Sequence, residues 1–240
     1  MSAAASRTDP APAADESLAG LRLRLAPAVA NAAVFDGWTL AAIDSAADLM
    51  GVNRDVARLA FAGDDEDIGA NAMAMIAAWI DHVDAAMAEA FPQGALDGVS
   101  VREKIRRLVR FRLEAIAGRE EALRRALAIM AMPQNAATAL RRGWESADAM
   151  WRAAGDVANN YNWYTKRATL AALYAATLPV FIDDTSADKA ESWAFLDRRI
   201  AGVMRFEKAK AQWLGAPKGL DVRPWFSPVR FLGRLRYPPR

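Results

Sequence analysis

The 240-residue chain contains no cysteine. That absence removes disulfide frameworks, thiol nucleophiles and zinc–thiolate sites from consideration. Histidine occurs once, at position 82, which speaks against a histidine metal site or a Ser–His–Asp triad. His82 lies in the run Asp81-His82-Val83-Asp84, but two aspartates and one histidine without Glu-x-x-His partners make a poor metal site. No catalytic or metal-binding residue is therefore assigned. Nowhere is there a stretch of about 18 uninterrupted apolar residues, so no membrane-spanning helix is expected and any membrane contact should be peripheral. Strand-like alternation is missing as well, and with it any glycine-rich phosphate loop following a strand. Neither sign of charge dominates: 31 basic against 29 acidic residues leave a formal net charge of +2, which demands no polyanionic partner.

What the chain does have is helical periodicity. Hydrophobic residues make up 53% of it, enough for a sizeable core. Met73, Ile76, Trp79, Ile80, Val83 and Met87 form one stripe that ends near Phe91-Pro92. Val101, Ile105, Leu108 and Phe111/Arg112 continue to Ile116, with Gly118 as a stop. Leu123, Leu127 and Met130 make a short helix closed by Met132-Pro133, and Leu140, Trp144, Asp148 and Trp151 share a face ending near Gly155. A long helix is predicted from Asn159 to about Phe181, with a bend near Pro179, and another carries Trp193, Leu196, Ile200 and Val203 after the Thr185-Ser186 cap signal.

Ahead of these six helices, Leu21 to Phe35 reads as a helix that Pro27 either kinks or starts. Thr39–Met50, a turn at Gly51 and Asn53–Phe61 then make a helix-turn-helix pattern. A three-helix unit followed by a helical bundle is the layout of TetR-type regulators, so the expected fold is all-α and TetR-like. The expected organisation is a disordered leader over 1–18, a helix-turn-helix unit over 19–66, a bundle over 67–214 and a basic amphipathic tail over 215–240.

Charge argues against DNA binding by this unit. Between Asp36 and Asp67 eight acids face two bases, Arg54 and Arg58, a net charge of −6. Affinity for nucleic acid comes from cations that neutralise phosphates. An acidic face inverts that contribution, so no nucleic-acid partner is expected and the fold need not carry the function. A TetR-type regulator sensing an apolar ligand stands as the alternative.

The most specific stretch is Asp148-Ala-Met-Trp-Arg-Ala-Ala-Gly-Asp156, followed by Asn159-Asn-Tyr-Asn-Trp-Tyr-Thr-Lys-Arg167 and on to Tyr174. It closely resembles the Coq-nine family, whose pattern reads D-x-M-W-x-x-A-G-D and then N-W-Y-T-[RK]-R. Trp193-Ala-Phe-Leu-Asp-Arg-Arg-Ile200, Gly37-Trp38-Thr39 and Met130-Ala-Met-Pro133 are similar too, so the likeness covers roughly residues 20–206. The resemblance implies a TetR-like fold, no catalytic activity, no cofactor, and an apolar cavity for isoprenoid or quinone lipid. It implies an accessory role in ubiquinone biosynthesis, passing a membrane-buried quinone intermediate to the di-iron demethoxyubiquinone hydroxylase, Coq-seven. Family positions that contact that hydroxylase correspond to Met150, Trp163 and Tyr164 here. Asn160 departs from the mitochondrial members, which have Asp three residues before the Trp; a contact there would lose its ionic part. The location implied is cytoplasmic, peripheral to the inner membrane, in a bacterium, which a leader without transit-peptide character favours. In a eukaryote it would be the matrix side of that membrane.

Read from the residues alone, Trp163 and Tyr164 point about 100° apart on one helix. Either Trp163 is core and Tyr164 its rim, or the pair is an exposed aromatic anchor flanked by Lys166 and Arg167, a mixture found at binding hot spots. Met150 suits the same patch because thioethers adapt to partner surfaces. The inward faces of the bundle supply lipid-lining candidates: Ile76, Trp79, Ile80, Val83, Leu108, Phe111, Leu127, Met130, Leu170, Leu173 and Tyr174. Periodicity does not separate a lined cavity from a filled core. A prenyl tail burying several hundred Å² would gain about 25 cal/mol per Å². In the tail, Trp225, Phe226, Val229, Leu232 and Leu235 interleave with Arg230 and Arg234, a composition suited to an anionic bilayer surface. Arg102–Arg125, with nine cations and four acids, reads as a solvated helix face. TetR-like bundles often pair through their last two long helices, so a homodimer is expected.

Overall fold

A computed structural model describes residues 16–62, 72–156 and 161–214. Among the described residues every regular element is a helix and none is a strand, as the periodicity predicts. Helix α1 (Leu18–Asp36) starts at Ser17, whose hydroxyl accepts from the Gly20 amide at 3.1 Å, and stops at Gly37, whose φ of 69° disfavours a side chain. Pro27 neither starts nor ends α1; the helix runs through it. By length and composition α1, at 19 residues, could cross a membrane. Here Leu21, Leu25, Val29 and Ala33 are instead buried in the protein's core.

Helix α2 (Leu40–Met50) ends at Gly51 in the left-handed conformation. Helix α3 (Arg54–Ala60) is capped by the Asn53 side chain, which accepts from the Asp55 and Val56 amides. The two make the predicted helix-turn-helix and lie against α1. Trp38, at the entry to α2, is buried and donates its indole N–H to the Ala122 carbonyl at 3.0 Å. Its ring lies 5.5 Å from that of Trp79, tilted by 38°. One side chain thus ties the N-terminal unit to the bundle.

The bundle comprises α4 (Ala72–Ala90), α5 (Val101–Ala115), α6 (Glu120–Met130), α7 (Ala136–Ala153), α8 (Tyr161–Asp183) and α9 (Ala190–Leu214). Pro179 falls inside α8 without ending it. One compact unit ends at Ala201 and holds the helix-turn-helix, α4 to α8 and the first part of α9, and the rest of α9 belongs to a second. The expected tail at 215–240, with Trp225, Phe226, Val229, Arg230, Leu232, Arg234 and Leu235, lies outside the described residues, as does most of the leader.

The α8–α9 connection is held by polar groups. Asp184 is buried and accepts from the amides and hydroxyls of both Ser186 and Ser192, at 2.5–2.8 Å. Burial pushes its carboxyl up, but the Ser186 and Ser192 hydrogen bonds together outweigh that and hold it well below the ordinary carboxylate range. Lys189 gathers the Phe181 and Asp184 carbonyls and pairs with Glu120 at 3.1 Å. Asp184→Ala is expected to cost about 2–3 kcal/mol at neutral pH, a melting-point drop of roughly 4–10 °C by circular dichroism. The sign of its pH dependence follows from the lowered folded-state pKa. Above the ordinary carboxyl value of 3.8 the contribution is complete; as pH falls below it, the unfolded chain takes up the proton more readily and the contribution is lost. The stability gap between wild type and Asp184→Ala should therefore narrow as pH falls from about 4 toward 2.

Candidate functional site

Five helices enclose a cavity of about 160 Å³. From α4 come Ile76, Trp79, Ile80 and Val83; from α6 come Leu123, Ala126, Leu127 and Met130; from α8 come Ala171, Tyr174, Ala175 and Leu178. Arg112 and Ile116 close it from the end of α5, and Ala139, Arg142, Gly143 and Ser146 from α7. Of the lining expected from periodicity, Ile76, Trp79, Ile80, Val83, Leu127, Met130 and Tyr174 meet open volume. Leu108, Leu170 and Leu173 are buried in packed core instead. Phe111 meets Phe91 edge-on at 5.5 Å. Leu108 and Arg112 are one turn apart on the same face of α5, so periodicity finds the inward face but not the turn at which packing leaves space.

The cavity wall has a polar side. Arg112 is 2% exposed, so it stands on the inward stripe and is an exception to the reading of Arg102–Arg125 as a solvated helix face. Its guanidinium pairs with Asp84, donates to the Ser146 hydroxyl at 3.0 Å and lies 5.0 Å from the centre of the Tyr174 ring. Arg142 donates to Asp81 at 2.9 Å and to Glu145 at 3.2 Å. Burial pushes the Asp81 carboxyl up, with Arg142 opposing. His82 is half-buried; burial lowers its pKa and nearby Arg119 lowers it further. Among the described residues no group of three or more His, Cys, Asp or Glu side chains is placed to hold a metal ion.

The Asp-x-Met-Trp and Trp-Tyr-Thr-Lys-Arg segments meet as a clasp between the end of α7 and the start of α8. Arg167, 2% exposed, donates to Asp148 at 2.5 Å, to Asp156 at 3.4 Å and to the Trp163 carbonyl at 3.3 Å. Lys166 pairs with Asp156 at 2.6 Å, and the Trp151 indole donates to the Lys166 carbonyl at 3.0 Å. Met150 is fully buried beneath them. Met150 and Arg167 are therefore interior residues here, a correction to their expected place on a contact surface. Arg167 is drawn in because two carboxylates converge on it, and Met150 because it lies on the packed face of α7. Asn160 lies outside the described residues.

Outside the clasp, the rings of Trp144, Trp163 and Tyr164 cluster in tilted and edge-to-face contacts with centroids 4.7–6.0 Å apart. Trp163 is half-buried under the Arg167 guanidinium, 4.0 Å from its ring centre, whereas Tyr164 is 64% exposed and Leu140, one turn before Trp144, is exposed too. The two aromatic neighbours thus divide as seat and handle. Tyr164→Ala should leave the melting temperature within about 2 °C of wild type. Trp163→Ala, which strips the cation–π and ring contacts, should cost about 2–3 kcal/mol in a chemical denaturation series.

Comparison with known proteins places these features. The COQ9 family model matches residues 136–207, which span α7, α8 and the first part of α9. Rat "Ubiquinone biosynthesis protein COQ9, mitochondrial" is 32% identical over 168 residues, covering 70% of this chain and 54% of the rat protein. The human protein of the same name is 29% identical over 189 residues, 79% of this chain and 59% of its own length. The chain thus spans between half and three fifths of these mammalian relatives. In structure it is similar to a TetR transcriptional regulator from Nitrosomonas europaea, with a TM-score of 0.58, 19% identity, and coverage of 75% of this chain and 96% of the regulator. At that identity the likeness concerns the fold alone. The chain is a COQ9-like protein with a TetR-like, all-helical fold.

Proposed function

We propose that the chain is a non-catalytic accessory protein of ubiquinone biosynthesis that binds a prenylated quinone intermediate and presents it to the demethoxyubiquinone hydroxylase, Coq-seven. The observation that carries this reading is the apolar cavity between α4 and α8, in a chain whose sequence relatives are named for ubiquinone biosynthesis. Size refines the expectation of several hundred buried Å². A cavity of about 160 Å³ is close to the ~150 Å³ engineered cavity that accepts benzene. It suits a ring or a short piece of prenyl chain, so a longer tail must leave by an opening or part the helices. The exposed Tyr164, braced by Trp144 and Trp163, is the contact offered to the hydroxylase, and the basic aromatic tail is the contact offered to an anionic membrane surface.

The regulator reading has less support. Arg54 is held by both carboxylate oxygens of Asp48 at 2.8 and 2.5 Å, and Arg58 by both of Asp44 at 2.8 and 2.6 Å. The two cations of the helix-turn-helix are already neutralised, which removes the charge needed to displace counterions from a duplex. Extraction of freshly purified native protein with organic solvent, followed by mass spectrometry, tests the lipid reading. Co-purified isoprenoid or quinone lipid is expected; repeated recovery of protein free of any apolar molecule would overturn it. Tyr164→Ala is expected to weaken capture of the hydroxylase at least about 30-fold in surface plasmon resonance.

A further inference from the structure

Two arginines in a largely apolar cavity look at first like a phosphate or carboxylate clamp, but their partners argue otherwise. Arg112 faces Asp84, and Arg142 faces Asp81 and Glu145, so two cations meet three carboxylates. Both guanidinium charges are thus already paired, so an anionic guest would gain little from them in return for its own desolvation. What is left over is not charge but hydrogen-bonding capacity. The Nε–H groups of Arg112 and Arg142 are both buried, and neither has a hydrogen-bond partner among the described residues. A buried donor without a partner costs about 1–3 kcal/mol, and a native structure seldom leaves two in one place. Both arginines line the same 160 Å³ cavity.

We infer that the cavity is built for an uncharged guest whose ring-sized apolar body carries a hydrogen-bond acceptor, with Arg112 and Arg142 as the residues that select it. The inference rests on the proposed lipid-binding reading and specifies the end of the guest that the cavity holds: a carbonyl or ether oxygen, not a bare hydrocarbon and not an anion. The apolar contribution comes from α4, α6 and α8, and the discrimination comes from the two arginines, whose carboxylate partners fix the guanidinium planes and cancel their charge.

Three single-ring probes of matched size separate the possibilities: acetophenone, with one neutral acceptor; ethylbenzene, with none; and benzoate, an anion. Binding to the full chain is followed by ligand-observed nuclear magnetic resonance titration. Acetophenone is expected to bind about tenfold more tightly than ethylbenzene, and benzoate to show no binding at concentrations that saturate acetophenone. In the double variant Arg112→Lys and Arg142→Lys, both cations remain for their carboxylates but both Nε donors are gone. There, the preference for acetophenone over ethylbenzene should be lost. Parity in the wild-type protein, tighter binding of benzoate, or an acetophenone preference that survives in the double variant would each overturn the inference while leaving the cavity a lipid site. If neither neutral probe binds, the cavity reading fails along with it. The wild-type ranking decides the matter even if the double variant does not fold.

Discussion

Arg167→Met should be among the most damaging single substitutions in this protein, lowering stability by about 3–5 kcal/mol. The side chain is 2% exposed and satisfies two carboxylates, Asp148 and Asp156, of which Asp156 is itself largely covered. Met matches Arg in length and packs well, so the loss measures what two carboxylates forgo rather than a cavity: Asp156 keeps only Lys166 and Asp148 only the more exposed Arg152. For a unit of this size the melting temperature should fall by roughly 6–20 °C. Arg167→Lys should recover part of that loss, because an ammonium reaches one carboxylate but cannot fork between two. A drop below about 1 kcal/mol for Arg167→Met would show that the clasp does not seat α8 against α7. Arg167 also covers the Trp163 ring. A variant at 167 that no longer captures the hydroxylase would therefore be reporting on how the aromatic handle is held, and Tyr164→Ala is the change that probes contact itself.

Gly143→Leu should have the opposite effect on stability and a large effect on binding. Gly143 lies in the interior of α7 and lines the cavity, and a Cβ built there meets nothing within 4 Å. Replacing a mid-helix glycine removes a helix-propensity penalty of about 1 kcal/mol, and the added isobutyl group fills open space rather than displacing neighbours. The expected result is a melting temperature raised by a few degrees together with at least tenfold less co-purified lipid by mass spectrometry. Lipid recovery at the wild-type level would mean that the guest is held elsewhere in the molecule. A fall in melting temperature would mean that the volume is not free.

The helices were readable because their apolar residues recur at three and four, and because glycines at 37, 51 and 118 mark stops that the backbone uses with positive φ. Pro27 was ambiguous because its ring forbids only one local hydrogen bond, and burial of Leu25 and Val29 on either side outweighs that loss. Arg112 was the hardest residue to place. On a segment with nine cations composition does not distinguish a buried arginine from its solvated neighbours. Its partners, Asp84 on α4 and Ser146 on α7, are remote in sequence. The same holds for Arg167, whose carboxylates are 19 and 11 residues away. One local signal did exist: Arg112 occupies the turn after Leu108 on the apolar face of α5, where a solvated side chain has no business being. Sequence likeness identified the Asp-x-Met-Trp and Trp-Tyr-Thr-Lys-Arg segments but not their division of labour, since a structural clasp and a docking handle leave the same trace in a motif.

The close, tilted pair of Trp38 and Trp79 has an optical consequence. Two indoles at that separation and tilt exchange excitation energy, giving a paired positive and negative band in circular dichroism that neither ring produces alone. Because one of the two rings faces the cavity and the other belongs to the N-terminal unit, a molecule settling against Trp79 would perturb this couplet. The protein thus carries a built-in spectroscopic gauge of occupancy that needs no added label.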